Sequence, residues 1–222
     1  MTGETFHRSL LPISSVSLLG SCETRFMEAM EGKQKVTRPM QVGTVMHKKL
    51  EEGLPKITQE QVISQIRKGM RFFVRELPLT DKKLRLIGRV DQLNMLGKTG
   101  DGKNRGVIID DKYPETAYRG MPLYYKLQLS AYATAVGNSD ILGPICDIVG
   151  VRLVCREANT HRITATFTIE GSSLDTCKGN VGMATARAWE LYERKKEPEH
   201  RRFDVGNGEW IGCYCGQGYK AV

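Results

Sequence analysis

Apolar residues follow two rhythms along this chain, and the helical one is the more extended. From Thr58 to about Leu77 the positions Val62, Ile63, Ile66, Met70, Phe73, Val74 and Leu77 recur every three to four residues. Thr58-x-x-Gln61 supplies a capping box at the start of that helix, which Gly69 merely interrupts. The same spacing predicts a short helix within residues 9–30 and another from Met40 to Leu50, closed by Gly53 and Pro55 after a basic connection over 32–38. A further helix runs from Met121 to Val136, with Pro122 in its first turn and Gly137 just past its end, and a last one from Ser173 to Arg194.

The second rhythm is that of strands. Lys82 to Met95 and Gly106 to Lys112 flank a turn-rich connector over 97–105, which predicts an antiparallel hairpin. Gly88 in the first of these marks a bulge or a close backbone approach. Asp147 to Cys155 and His161 to Ile169 form a second hairpin; in the latter, Ile163, Ala165, Phe167 and Ile169 share one face. The order helix, helix, hairpin, helix, hairpin, helix predicts a mixed α/β fold with a central sheet flanked by helices.

Composition narrows the classes. At 222 residues the chain can bury a full core. Its 33 Lys+Arg against 25 Asp+Glu give a net charge of +8, compatible with a polyanionic partner but not diagnostic of one. Six cysteines without dense spacing exclude a small disulfide scaffold, and no apolar run is long enough to span a bilayer. Leu19-Gly20-Ser21-Cys22 imitates a lipoprotein cleavage box, but Pro12, Ser14, Ser15 and Ser17 interrupt the stretch before it. The expectation is an intracellular protein: cytoplasmic, or nuclear or organellar in a eukaryote.

Candidate chemistry centres on Gly106-Val107-Ile108-Ile109-Asp110-Asp111-Lys112, a buried strand whose end emerges charged. Alternation puts Asp110 and Lys112 on one side and Asp111 on the other. Asp91 lies 110 − 91 = 19 positions earlier, the separation of two strands and a hairpin loop, so both carboxylates can reach one hard divalent cation. His47, on the helix upstream, would add a nitrogen and shift preference from magnesium towards manganese. The backbone carbonyl of Asp111 is a further oxygen donor. Lys112 beside the ion can orient or help deprotonate an attacking water and balance phosphate charge, giving hydrolysis without a covalent intermediate. Gln128 and Tyr132 share a face of the following helix at i and i+4, Gln128 suited to a phosphate or water contact and Tyr132 to stacking or positioning the backbone. Tyr113, Tyr118, Arg119, Tyr124, Tyr125 and Lys126 mix aromatic and basic residues, as single-stranded nucleic acid requires for stacking and phosphate contact.

Together, Gly43-Thr44-x-x-His47, Gly88-x-x-Asp91, Asp110-x-Lys112 and Gln128-x-x-x-Tyr132 resemble the RecB-like branch of the PD-(D/E)XK nucleases, the CRISPR-associated RecB-like nucleases and exonuclease V in particular. The resemblance spans about residues 14 to 215. It implies a restriction-endonuclease-like core in a single nuclease domain, with an N-terminal helical segment over 9–39, a catalytic core over 40–170 and a cysteine-containing tail over 171–222. It further implies Mg²⁺- or Mn²⁺-dependent DNA cleavage, usually exonucleolytic on single strands or ends, in DNA repair or CRISPR adaptation. His47, Asp91 and Asp110 match the metal-ligand positions, and Lys112 the catalytic lysine.

Such relatives often hold an iron–sulfur cluster by one leading and three trailing cysteines. Cys22, with Arg25 and Phe26 behind it, matches the leading one, and Arg25 becomes a candidate DNA contact. Cys213 and Cys215, after Trp210, match the trailing group with one ligand short. Cys177, a non-cysteine ligand or a degenerate site without a cluster are all open. A second departure is Asp111, where the family carries an apolar residue; Arg89, a helix N-terminus or water are its candidate partners. Two other readings stand beside the exonuclease: a structure-specific endonuclease on the same fold, and a non-catalytic DNA-binding subunit of a DNA-processing complex.

Overall fold

The computed structural model describes residues 9–34, 38–51, 58–98, 100, 102–213 and 215; within 38–51 the side chains of residues 38, 39, 47 and 49–51 lie outside that set. Among the described residues, eight strands and six helices follow in the order β1 (Leu11–Pro12), α1 (Ile13–Val16), α2 (Glu23–Met30), α3 (Arg38–Glu51), α4 (Gln59–Arg67), β2 (Phe72–Asp81), β3 (Leu86–Lys98), β4 (Asn104–Lys112), α5 (Leu123–Asn138), β5 (Cys146–Arg156), β6 (Ile163–Glu170), α6 (Gly171–Tyr192), β7 (Arg201–Asp204) and β8 (Glu209–Gly212). A 3-10 turn over Ser17–Gly20 joins α1 to α2.

Five strands lie side by side as β2-β3-β4-β5-β6, antiparallel except for the parallel pair β4–β5. A parallel pair needs a long crossover, and α5 supplies it, packed on β5 and against α6. The architecture is a mixed α/β fold with a mixed central sheet flanked by helices, and both predicted hairpins form. On β6, Ala165, Phe167 and Ile169 pack on the core as their alternation requires, while Ile163 at the strand's start is exposed.

The helix expected from Thr58 to Leu77 is shorter. Its capping box is present, with Gln61 N–H donating to Thr58 Oγ1 at 3.3 Å and Thr58 N–H to Gln61 Oε1 at 2.8 Å. It stops at Arg67 because Gly69 takes φ +71°, a left-handed conformation that ends helices. The residues beyond become β2, whose Val74, Leu77 and Leu79 enter the core from an extended chain. Buried Asn104 donates to the carbonyls of Ile66 and Met70 at 3.3 and 3.4 Å, fixing this helix-to-strand junction. Residues 9–30 break into β1, two short helices and the 3-10 turn rather than one helix. Gly137 falls inside α5, which runs to Asn138, and Pro122 is its N-cap. Gly53 and Pro55, and part of the basic connection over 32–38, lie outside the described residues.

The register contains the decisive detail. β3 and β4 pair from Lys98↔Asn104 to Gln92↔Ile109 and no further. The next facing positions are Asp91 and Asp110, so the two strands part at the acids. Beyond the fork, β1 pairs in parallel with Leu86 and Ile87 of β3.

Candidate active site: an acid–acid–lysine cleft at the strand fork

Asp91 and Asp110 leave neighbouring strands at facing positions and converge on the same ammonium. Lys112 Nζ lies 2.8 Å from Asp110 Oδ1 and 3.6 Å from Asp91 Oδ2. The Asp110 side chain is buried, and its Oδ2 accepts no hydrogen bond from the described residues. Burial pushes the Asp110 carboxyl up to about 8; Lys112 opposes this and the Asp91 carboxylate reinforces it. Burial would lower the Lys112 ammonium, but the two carboxylates outweigh it and raise it above the ordinary lysine range.

A buried acceptor without a hydrogen-bond donor, beside a second carboxylate that lines an open cleft, makes a donor set that suits a hard divalent cation. The cleft has a volume of about 630 Å³ and is lined by Asp91, Lys112 and Glu76 together with Thr44, Lys48, Tyr113, Tyr118 and Tyr125. The backbone at Asp111 also borders it. α3, which carries His47, flanks the cleft through Gly43, Thr44 and Lys48. The His47 side chain itself is outside the described residues.

Asp111 points the other way, as alternation requires, and is fully buried. Two arginines hold its carboxylate. Arg156 Nε donates to Oδ1 at 2.7 Å and Arg75 Nη1 to Oδ2 at 3.4 Å, one guanidinium from β5 and one from β2. Arg89 instead lies 3.6 Å from Glu76.

Tyr132 is buried on α5, close enough to Asp110, Asp91 and Lys112 for their charges to act on its phenol, and Gln128 hydrogen-bonds to it. Burial is the main cause that pushes the Tyr132 hydroxyl up to about 12. Gly88 lets that ring in: a Cβ there would lie 2.7 Å from Tyr132 Cε1. The glycine marks a close approach, one of the two readings its position in a strand allows.

The aromatic–basic group divides. Tyr118, Tyr124 and Tyr125 form a ring cluster, with Tyr124–Tyr125 centroids 4.1 Å apart and Lys112 Nζ 5.4 Å from the Tyr125 ring. Tyr113 borders the cleft, nearly buried, with its hydroxyl 3.3 Å from His161 Nδ1. Arg119 and Arg25 are exposed, and Arg25 contacts Ser21 Oγ at 3.4 Å. Lys126 turns away from the cleft to Asp204, at 3.6 Å.

One cleft residue carries no signal in the sequence. Glu76 sits opposite Asp91 on β2 with φ +54°, a left-handed conformation that costs a non-glycine residue about 1–2 kcal/mol. Strain held beside a cluster of acids is the kind that functional sites retain. An isolated glutamate in an apolar run gives no hint of it.

Away from the cleft, Cys22, Cys213 and Cys215 come together at the junction of α2 with the β7–β8 hairpin, and His200 joins them. Cys177 is elsewhere, buried on α6.

A sequence model described as the PD-(D/E)XK nuclease superfamily matches residues 2–154. The chain belongs to that superfamily. Among solved structures, a "Putative exonuclease" from Eubacterium rectale has a TM-score of 0.52 at 14% identity, covering 90% of this chain and 89% of that one. At that identity the likeness is one of fold. An alkaline exonuclease from Laribacter hongkongensis has a TM-score of 0.48 at 12% identity, covering 85% and 90%. None of the curated proteins matches this sequence. No helix among the described residues is long and apolar enough to cross a membrane.

Proposed function

We propose that this chain is a metal-dependent deoxyribonuclease acting as an exonuclease on single-stranded DNA or DNA ends. The observation that carries the reading is the fork: two carboxylates at facing positions of parting strands, sharing one lysine, with Asp110 buried behind the Asp91 and Lys112 that line the cleft. Asp91 and Asp110 would hold Mg²⁺ or Mn²⁺, with the Asp111 carbonyl and His47 as the remaining protein donors. Bound there, the ion supplies Lewis acidity to the scissile phosphodiester.

The chain's own residues do the rest. Lys112, fixed by both acids, presents a cation where phosphate charge develops and can orient the attacking water. Tyr132, held by Gln128 and seated against Gly88, positions the acid–lysine cluster from the helix side. The Tyr118–Tyr124–Tyr125 cluster and Tyr113 offer ring faces and edges beside the cleft, which suits unpaired bases. Lys48, in the cleft wall, and exposed Arg119 add positive charge for the backbone. Arg25, on the exposed face of α2, is a more distant contact of the same kind. Lys126 is not assigned to DNA, because its ammonium faces Asp204.

The test is degradation of end-labelled linear single-stranded DNA with Mg²⁺ or Mn²⁺, set beside a circular single strand. The expected result is metal-dependent loss of the linear substrate with the circle intact. Cleavage of the circle would mean an endonuclease, and tight binding without turnover under saturating metal a binding subunit. Activity that survives Asp110→Ala and Lys112→Ala would overturn the site.

A further inference from the structure

The four ligand-type atoms of Cys22, His200, Cys213 and Cys215 lie within 4.8 Å of one another, far from the acid cleft in sequence and in role. The sulfur of Cys22 is 2.7 Å from that of Cys215 and 2.8 Å from that of Cys213; Cys213 and Cys215 are 2.6 Å apart. His200 Nδ1 is 3.2 Å from the Cys215 sulfur. The β7–β8 register explains the meeting. Arg201 pairs with Gly212, so His200 and Cys213 face each other one step beyond, and Cys213 N–H donates to the His200 carbonyl at 3.2 Å. Cys22, fully buried at the start of α2, reaches the same point from the other end of the chain.

This donor set does not fit the four-thiolate iron–sulfur cluster that the family resemblance implies. Of the six described cysteines, three stand at this site, and Cys177 is not with them. In a four-iron cluster each thiolate binds its own iron, so the body of the cluster holds the sulfurs apart. Here they crowd about a single point. A single tetrahedral ion needs the opposite arrangement: bonds of about 2.3 Å to sulfur and 2.0–2.1 Å to imidazole nitrogen place neighbouring ligand atoms about 3.3–3.8 Å apart. The three sulfurs need to open by only about 1 Å to reach that edge length. Three cysteines and one histidine are a standard structural zinc set, and the thiols bind as thiolates, releasing their protons to solvent.

We propose that Cys22, His200, Cys213 and Cys215 form a closed structural site for one zinc ion, with His200 as the fourth ligand. The ion clamps the β7–β8 hairpin onto α2. A two-stranded hairpin is marginal alone, and among the described residues this one pairs with no other strand, so a clamp has structural work to perform. The inference is independent of the nuclease reading, and its readouts involve no DNA.

The experiment is elemental and spectroscopic analysis of the full chain purified anaerobically from zinc- and iron-replete cells. About one zinc per chain is expected, without acid-labile sulfide or visible absorption, and with no disulfide among the three cysteines. Asp91→Ala/Asp110→Ala protein is expected to keep that zinc, which separates this site from the acid cleft. Cobalt(II) in place of zinc is expected to give thiolate-to-metal charge transfer and tetrahedral d–d bands. His200 is exposed, so His200→Ala is expected to fold while binding zinc at least about 100-fold more weakly, beyond the cost of losing an outer-shell partner. His200→Cys is expected to restore tight binding. Stoichiometric iron with sulfide, a Cys–Cys disulfide, metal-free protein, or undiminished zinc affinity in His200→Ala would each overturn the proposal.

Discussion

Asp110 and Asp111 are consecutive in the chain, yet strand alternation gives their carboxylates opposite surroundings. Asp111 meets two guanidinium groups; Asp110 meets one ammonium, a second acid and an open lone pair. Removing each charge therefore has opposite expected consequences. Asp111→Asn leaves Arg75 and Arg156 under-compensated and is expected to lower the melting temperature, while folded protein retains cleavage. Asp110→Asn and Lys112→Ala are each expected to reduce cleavage by about 10²–10³-fold, the scale of losing one preorganised electrostatic group. Single-turnover rates on labelled DNA beside thermal melts check both. The pH dependence follows from Asp110. A carboxyl whose folded pKa is raised favours the fold while protonated, so its contribution is complete below about pH 4 and is lost as pH rises towards about 8. In chelator, wild-type melts are expected to lose stability across that window and Asp110→Asn melts to lose less.

At the scale of elements, the fork between β3 and β4 depends on what fills the space behind it. Gly88 admits the Tyr132 ring, and Gly88→Ala is expected to displace that ring at a cost of about 1–3 kcal/mol, readable by denaturant titration. The same variant should slow cleavage by moving the cluster that Tyr132 supports. Much of this level was legible in the sequence. Apolar residues leading into Asp110-Asp111-Lys112, a turn-rich connector and a 19-residue offset from Asp91 were sufficient to anticipate the hairpin and the meeting of acids. β2 was not legible, because its apolar positions Val74 and Leu77 also continue the α4 stripe, and only the left-handed Gly69 separates helix from strand. Glu76 was hidden because its role comes from the residue facing it across β2 and β3. His200 was hidden for a related reason: it gains a ligand's position from hairpin register, with no cysteine near it in the chain.

Across the whole molecule, Glu23 is the node that joins distant segments. Fully buried, it accepts from Arg187 Nε and Nη2 at 2.8 and 2.7 Å, Arg201 Nε at 2.7 Å and Glu199 N–H at 2.7 Å. Burial opposes the Glu23 carboxylate, but these donors outweigh it and hold its pKa below the ordinary value. Its contribution is therefore present above about pH 4.5 and is lost as pH falls through the lower folded value. Glu23→Gln is expected to destabilise the fold, read by denaturant titration, since Arg187 loses its buried counter-charge and keeps only the more exposed Glu190 and Glu199. Because the surplus charge is positive, DNA binding is expected to weaken steeply with salt, with a log–log slope that counts the phosphates contacted.

The donors to Glu23 lie 164 to 178 residues away along the chain. During synthesis the acid would emerge long before any of them, with nothing to offset its desolvation. Compaction around α2 must then wait, or proceed with that carboxyl protonated, until Arg187 and Arg201 have cleared the ribosome. A ribosome-stalled chain ending near residue 180 is therefore expected to remain protease-sensitive at α2, and one extended far enough for the β7–β8 hairpin to leave the ribosome to become resistant there.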